Sequence, residues 1–195
     1  MVPAPVKIVT RPKQSYAPGE HKVRALTVRR SERLTGTHYR SLMPDFVIRP
    51  VRPADATQWA AMRAELWPEE TPGDHAREVA ELLAAGPTDR GATLVAEGPG
   101  GELRGFVELS VRNYAEDCET DRVGYCEGWY VKPEYRRTGV GRALMAAGIE
   151  WARARGCTEF ASDALLENEL SHAAHRALGF VETCRIVCFK LSSRA

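Results

Sequence analysis

Apolar residues at Val140, Leu144, Ala147 and Trp151 recur every three to four positions, which predicts a helix over residues 140–155 with one buried face and a stop at Gly156. Just upstream, the apolar run 124–131 reads as a strand, followed by a turn at Lys132-Pro133-Glu134. The pattern continues on both sides of this unit. Phe46-Val47-Ile48 starts a strand that Arg52-Pro53 ends. Asp55 is placed to cap a helix carrying Trp59, Met62 and Leu66 that stops before Pro68. Asp74 is placed to cap a second helix with Val79, Leu82 and Leu83, closed by Gly86-Pro87. Strands are expected at 93–97 and 102–111 around the turn 98–101, with a polar loop over 112–122. A short strand at 158–163, a helix at 168–178 ended by Gly179, and a final strand region at 180–191 complete the order. The succession β-α-α-β-β-β-α-β-α-β implies an α/β fold, a mixed sheet flanked by helices.

With 195 residues the chain can hold one domain with a sizeable core. No apolar run approaches the ~20 residues needed to span a bilayer, and the N-terminus lacks the apolar centre of a secretory signal. The five cysteines are odd in number and lack Cys-x-x-Cys spacing, which points to reduced thiols and to neither a disulfide frame nor a metal site. Cys184 and Cys188 fall on the last strand region and are expected to be packing residues. These features point to a cytoplasmic protein.

The net charge of +1 conceals a division. Residues 1–44 hold nine of the 27 cations and two of the 26 acids, a net of +7, against −6 for residues 45–195. The first segment also carries Pro3, Pro5, Pro12, Pro18 and Pro44 and no sustained apolar period, so it is expected to be a largely disordered extension. Contact with nucleic acid or a membrane surface, a transit peptide, and an extension ahead of a start at Met43 are alternatives for it, the last being favoured. The acidic remainder attracts polycations and disfavours nucleic acid, although solubility alone accounts for such a charge.

Chemistry concentrates in Arg136-Arg137-Thr138-Gly139-Val140-Gly141-Arg142. A glycine-broken basic loop between a strand and a helix N-terminus is an anion trap, because exposed N–H groups and the helix dipole favour a phosphate or pyrophosphate. The Lys-Ser/Thr pair of a nucleotide-hydrolysing loop is missing, since Arg142-Ala143 follows. Leu144 stands where a dinucleotide fingerprint needs its third glycine. The remaining pattern, Arg-x-x-Gly-x-Gly after Trp129-Tyr130-Val131, resembles the acetyl-CoA loop of the GCN5-related N-acetyltransferase (GNAT) superfamily. Leu66-Trp67-Pro68, Glu127-Gly128 and the block 157–183, CTEFASDALLENELSHAAHRALGFVET, further resemble its aminoglycoside 6′-N-acetyltransferases over residues 45–195.

The resemblance implies the acyl-CoA N-acyltransferase fold, with a mostly antiparallel mixed sheet, and a homodimer, for which the last strand, 186–191, is a candidate to pair across an interface. It places cofactor contacts on Trp129, Tyr130, Val131, Arg137, Thr138, Gly139, Val140, Gly141, Arg142 and Asn168. Aminoglycoside contacts fall on Trp67, Glu70, Tyr114, Glu127, Asp163 and Glu182. The residues have readings of their own. Glu127, mid-strand among aromatics, needs a partner, either substrate or an internal arginine. Asp163 ends a strand where open sheets bind ligands, or caps the helix at 168–178. Trp67 is either core or the aromatic wall of an exposed loop. Cys184 stands where relatives carry a further Glu. His175 occupies the position of a Tyr that in the wider superfamily protonates the leaving thiolate, so it is that acid or a packing residue. A metal role for His172 and His175 is not expected.

The implied reaction is direct attack of a primary amine on the thioester in a ternary complex, with Asp163 and Glu127 taking up the amine's proton. A backbone N–H near Tyr130 or Val131 would polarise the carbonyl. No Ser/His/Asp or Cys/His arrangement for a covalent intermediate is evident in the sequence. Acetylation of another amine (a polyamine, a peptide N-terminus or an amino sugar) and a non-catalytic acyl-CoA sensor are the alternatives.

Overall fold

A computed structural model describes residues 45–189 and 191. The extension 1–44 lies outside these residues. Five strands form one sheet in the order β1 (Val47–Pro50), β2 (Gly91–Glu97), β3 (Leu103–Arg112), β4 (Val123–Val131), β5 (Glu159–Ser162). The first four pair antiparallel, and β5 runs parallel to β4. The mixed, mostly antiparallel sheet expected from the sequence is therefore present.

Alternation along the strands loads both faces. Val95, Leu103, Phe106 and Tyr130 pack with Trp59, Met62 and Leu66 of α1 (Ala56–Leu66) and Val79 of α2 (Pro72–Ala85). On the opposite face Leu94, Val107, Leu109, Cys126 and Trp129 meet Val140, Leu144 and Met145 of α3 (Val140–Arg153). Ala174 of α4 (Glu169–Ala177) and Leu178 and Phe180 beyond it pack against that cluster. Arg63, buried on α1, is neutralised by Glu78 and Glu108, and Trp59 Nε1 also donates to Glu108.

Three local expectations change. Thr71, not Asp74, accepts the capping bond of α2, because Pro72 at the first helical position places Asp74 in the first turn, where its N–H reaches Thr71 Oγ1. Asp55 precedes α1 but spends its carboxylate on Arg49 and on the Arg52 N–H instead of a cap. Residues 180–189 form no strand, and Val187, Phe189 and Leu191 are exposed, so Cys184 and Cys188 are exposed thiols and not packing residues. Among the described residues nothing pairs with the outer edge of β5.

Candidate active site

Two features of β4 open the sheet. Glu108 pairs with Gly128 while Leu109 pairs with Cys126, so Glu127 is the extra residue of a β-bulge. The bulge reverses the alternation, which is why Cys126 and Trp129 lie on the same face. Pairing with β5 then ends at Cys126↔Ser162, while β4 runs on to Val131. Past that point no strand among the described residues pairs with the β5 side of β4.

The loop 132–139 leads from this edge to α3. Arg137 and Gly139 adopt left-handed conformations, at φ 63° and 94°. The first bond into α3 runs from the Ala143 N–H to the Gly139 carbonyl, so the earlier N–H groups point out of the helix end. The three arginines are not equivalent. Arg136 donates through Nε to the Val131 carbonyl at 3.0 Å, and its Nη2 is buried without a partner among the described residues. Arg142 donates to the Ala177 carbonyl of α4 at 3.2 Å. Arg137 is exposed, and like Arg136 and Arg142 it makes no ion pair among the described residues. Val140 is buried in the core, and Thr138 Oγ1 donates to the Tyr135 carbonyl. Gly141 faces inward. A Cβ there would stand 2.9 Å from Cζ2 of Trp129, so the missing side chain makes room for the indole.

On the other side of the opening lie the acids. Glu127 accepts from Arg112 twice, Nε to Oε1 at 2.9 Å and Nη2 to Oε2 at 2.6 Å, and from the Ser110 hydroxyl. The internal-arginine reading of Glu127 is therefore realised. Arg112 also lies 3.4 Å above the Tyr125 ring centroid. Asp163, just past β5, is exposed on one side, yet desolvation of its carboxyl raises its pKa to about 6 against the opposing pull of a Tyr125 hydrogen bond and Arg112. It is not the cap of α4. Asn168 is that cap, accepting from the Ser171 N–H at 3.0 Å.

The remaining candidates spread around this centre. Trp67 is buried, not an exposed wall. Its Cη2 would stand 2.6 Å from a Cβ at Gly128, and the Arg63 guanidinium stacks on its ring at 4.6 Å. Glu70 is exposed, 3.6 Å from Nδ1 of the fully buried His75, whose Nε2–H donates to the Trp67 carbonyl at 3.0 Å. Tyr114, 67% exposed, stands on the β3–β4 loop. Glu182 is engaged with Arg176 and Arg185 on the surface. Tyr130 points away from the opening, toward the α1 side, and its phenol donates to Glu65.

Sequence reading missed the contact between Ser162 and His175. His175 Nδ1 lies 2.8 Å from the Ser171 carbonyl, an acceptor, so Nδ1 carries the ring proton. Nε2, 3.1 Å from Ser162 Oγ, is then the acceptor of that hydroxyl. Burial lowers the pKa of the ring, which sits edge-on to Trp129 and Phe180. With both ring nitrogens engaged and the ring packed against two aromatics, the packing reading of His175 is the one the geometry supports. The signal was the spacing of Ser171 and His175 on one helical turn, although Ser162 comes from another element. No group of three or more His, Cys, Asp or Glu side chains among the described residues is arranged to hold a metal ion.

Known proteins share this architecture. The profile of the Acetyltransferase (GNAT) family matches residues 59–180. The chain is 49% identical over 144 residues to aminoglycoside N(6')-acetyltransferase type 1 of Klebsiella aerogenes, covering 74% of this chain and 95% of that protein. The like-named Stenotrophomonas maltophilia protein is 45% identical over 145 residues, covering 74% and 92%. Among solved structures, AAC(6')-IG from Acinetobacter haemolyticus, an aminoglycoside 6'-N-acetyltransferase, superposes with a TM-score of 0.70 at 38% identity over 76% of this chain and 99% of that one. AAC(6')-Iy, solved with the bisubstrate analogue CoA-S-monomethyl-acetylneamine, superposes at 0.70 with 33% identity and the same coverage. The chain belongs to the acetyltransferase (GNAT) family, in its aminoglycoside 6′-N-acetyltransferase branch.

Proposed function

We propose that this chain transfers acetyl from acetyl-CoA to the 6′-amino group of aminoglycoside antibiotics and thereby confers resistance. The observation that carries the reading is the 49% identity with an aminoglycoside N(6')-acetyltransferase sustained over 95% of that protein's length. The open edge of β4 between a phosphate-suited loop and an acidic end fits it.

Acetyl-CoA, when bound, supplies a thioester carbonyl to the amine. The exposed N–H groups at the start of α3, with Arg137, hold its pyrophosphate. The free edge of β4 from Trp129 to Val131 aligns the chain leading to the thioester, and a backbone N–H near Tyr130 or Val131 polarises the carbonyl. Asn168 holds the start of α4 beside that path. The aminoglycoside arrives as a polycation whose amines have pKa values near ~10. Asp163 accepts the proton the attacking amine must lose, while Glu127, Glu70, Glu182 and Tyr114 line the approach over the floor made by Trp67. Direct attack then needs no enzyme-bound intermediate, and holding both substrates together supplies much of the rate.

The reading extends to a cytoplasmic homodimer, with no nucleic-acid or membrane partner. No helix among the described residues is long and apolar enough to cross a membrane. The exposed apolar side chains Ile186, Val187, Phe189 and Leu191 suit pairing with a second copy, and among the described residues the outer edge of β5 has no partner strand. The reading keeps residues 1–44 outside the catalytic domain, and the family profile begins at residue 59.

A thiol-release assay with acetyl-CoA across kanamycin, tobramycin, spermidine and a peptide tests the function. Release with the two aminoglycosides, and acetylation mapped to the 6′-nitrogen, is expected. Release only with spermidine or the peptide, or with none, overturns it.

A further inference from the structure

We propose that Arg112 is a positioning residue of the acceptor site: it fixes Glu127 and the ring of Tyr125, and so leaves Asp163 as the one carboxylate free to take the amine's proton. The inference rests on the acetyl-transfer reading and divides the labour between two acids that the resemblance treats alike.

Arg112 closes β3 opposite Val123, the first residue of β4. From there its guanidinium reaches both oxygens of Glu127, at 2.9 and 2.6 Å, in the fork geometry that only arginine offers. The Ser110 hydroxyl donates to the same carboxylate. Glu127 is therefore neutralised and held in one orientation, and a proton arriving there would have to break a bidentate pair. The same guanidinium lies 3.4 Å from the Tyr125 ring centroid, and Tyr125 pairs with Ala161, two residues before Asp163. One cation thus orients Glu127 directly and packs on the aromatic ring that neighbours the end of β5. The groups acting on Asp163 are Tyr125 and Glu127 from β4 and Arg112 from β3. Of these, Arg112 and the Tyr125 hydrogen bond favour its ionised form, and Glu127 opposes it.

The test is the pH profile of kcat/KM for kanamycin in the parent, Arg112→Met, Arg112→Lys and Tyr125→Phe. Ionised Asp163 is the form that works, so the parent rises through about pH 6. Removing the cation raises the pKa of Asp163, so Arg112→Met moves that acid limb to higher pH, by a shift on the order of one unit. Tyr125→Phe moves it in the same direction. Arg112→Lys keeps the charge and leaves the limb near its place, but without the fork its kanamycin KM rises about tenfold. Acetyl-CoA KM stays within about threefold in all variants, which a general loss of structure would not allow. A folded Arg112→Met with the parent's acid limb overturns the inference. If that variant does not fold, an unmoved limb in Tyr125→Phe together with an unchanged kanamycin KM in Arg112→Lys does the same. A parent that turns over no aminoglycoside would instead sink the functional reading, and the parent is measured first.

Discussion

The indole of Trp129 occupies the space that a side chain at Gly141 would need, with Cζ2 2.9 Å from the place of a Cβ. The second glycine of the loop is thus a packing device. It lets α3 lie close to β4, and so fixes where the helix N-terminus points.

Gly141→Ala is accordingly expected to lose stability, by about 1–3 kcal/mol for an overpacked contact, read as a lowered midpoint in urea. Weaker acetyl-CoA binding would follow from the displaced helix end. Full stability with selectively lost affinity would show that Gly141 faces the ligand after all.

Arg137 gives the opposite signature. It is exposed and, among the described residues, has no ion pair to lose, so Arg137→Ala should leave stability unchanged. A hydrogen bond to a charged group is worth about 1.5 kcal/mol at the low end, so acetyl-CoA Kd should rise about tenfold by calorimetry. An unaltered Kd would remove this cation from the anion site.

His175 is expected not to be the acid. His175→Gln keeps the volume and a donor and should retain most of kcat, with the alkaline side of its pH profile unmoved. A collapse of kcat confined to the chemical step, with normal binding of both substrates, would restore the acid role that its packing argues against.

Much of this was legible in the chain. The period of α3, the loop after β4 and the order of elements are carried by local spacing, and the family resemblance sits in short contiguous blocks. What was hidden depends on distant partners. Glu127 looked out of place in a strand because nothing in its neighbourhood announces Arg112, fifteen residues away across a β-hairpin. The bulge at Glu127 leaves no mark on composition. Trp67 was readable as either core or wall until Gly128 was seen to receive it. The apolar alternation of 180–191 resembles a strand, but a strand also needs backbone pairing with a neighbour, and residues 180–189 make none in the sheet.

Deleting residues 1–44 should leave turnover within about a factor of two, since an apolar period is missing there and the family profile begins at residue 59. A collapse in activity would place the extension within the catalytic unit.

The most direct measurement is kcat/KM for kanamycin in Asp163→Asn beside the parent, with acetyl-CoA saturating and pH above 7. The carboxylate is then ionised in the parent, its pKa being about 6. Losing a charged partner worth about 1.5–3 kcal/mol predicts a fall of roughly ten- to more than a hundredfold. Acetyl-CoA affinity should stay within about threefold, because its pyrophosphate is held at the far end of the β4 edge. If Asp163→Asn acetylates kanamycin as well as the parent does, the proton leaves by another group and the acceptor site lies elsewhere.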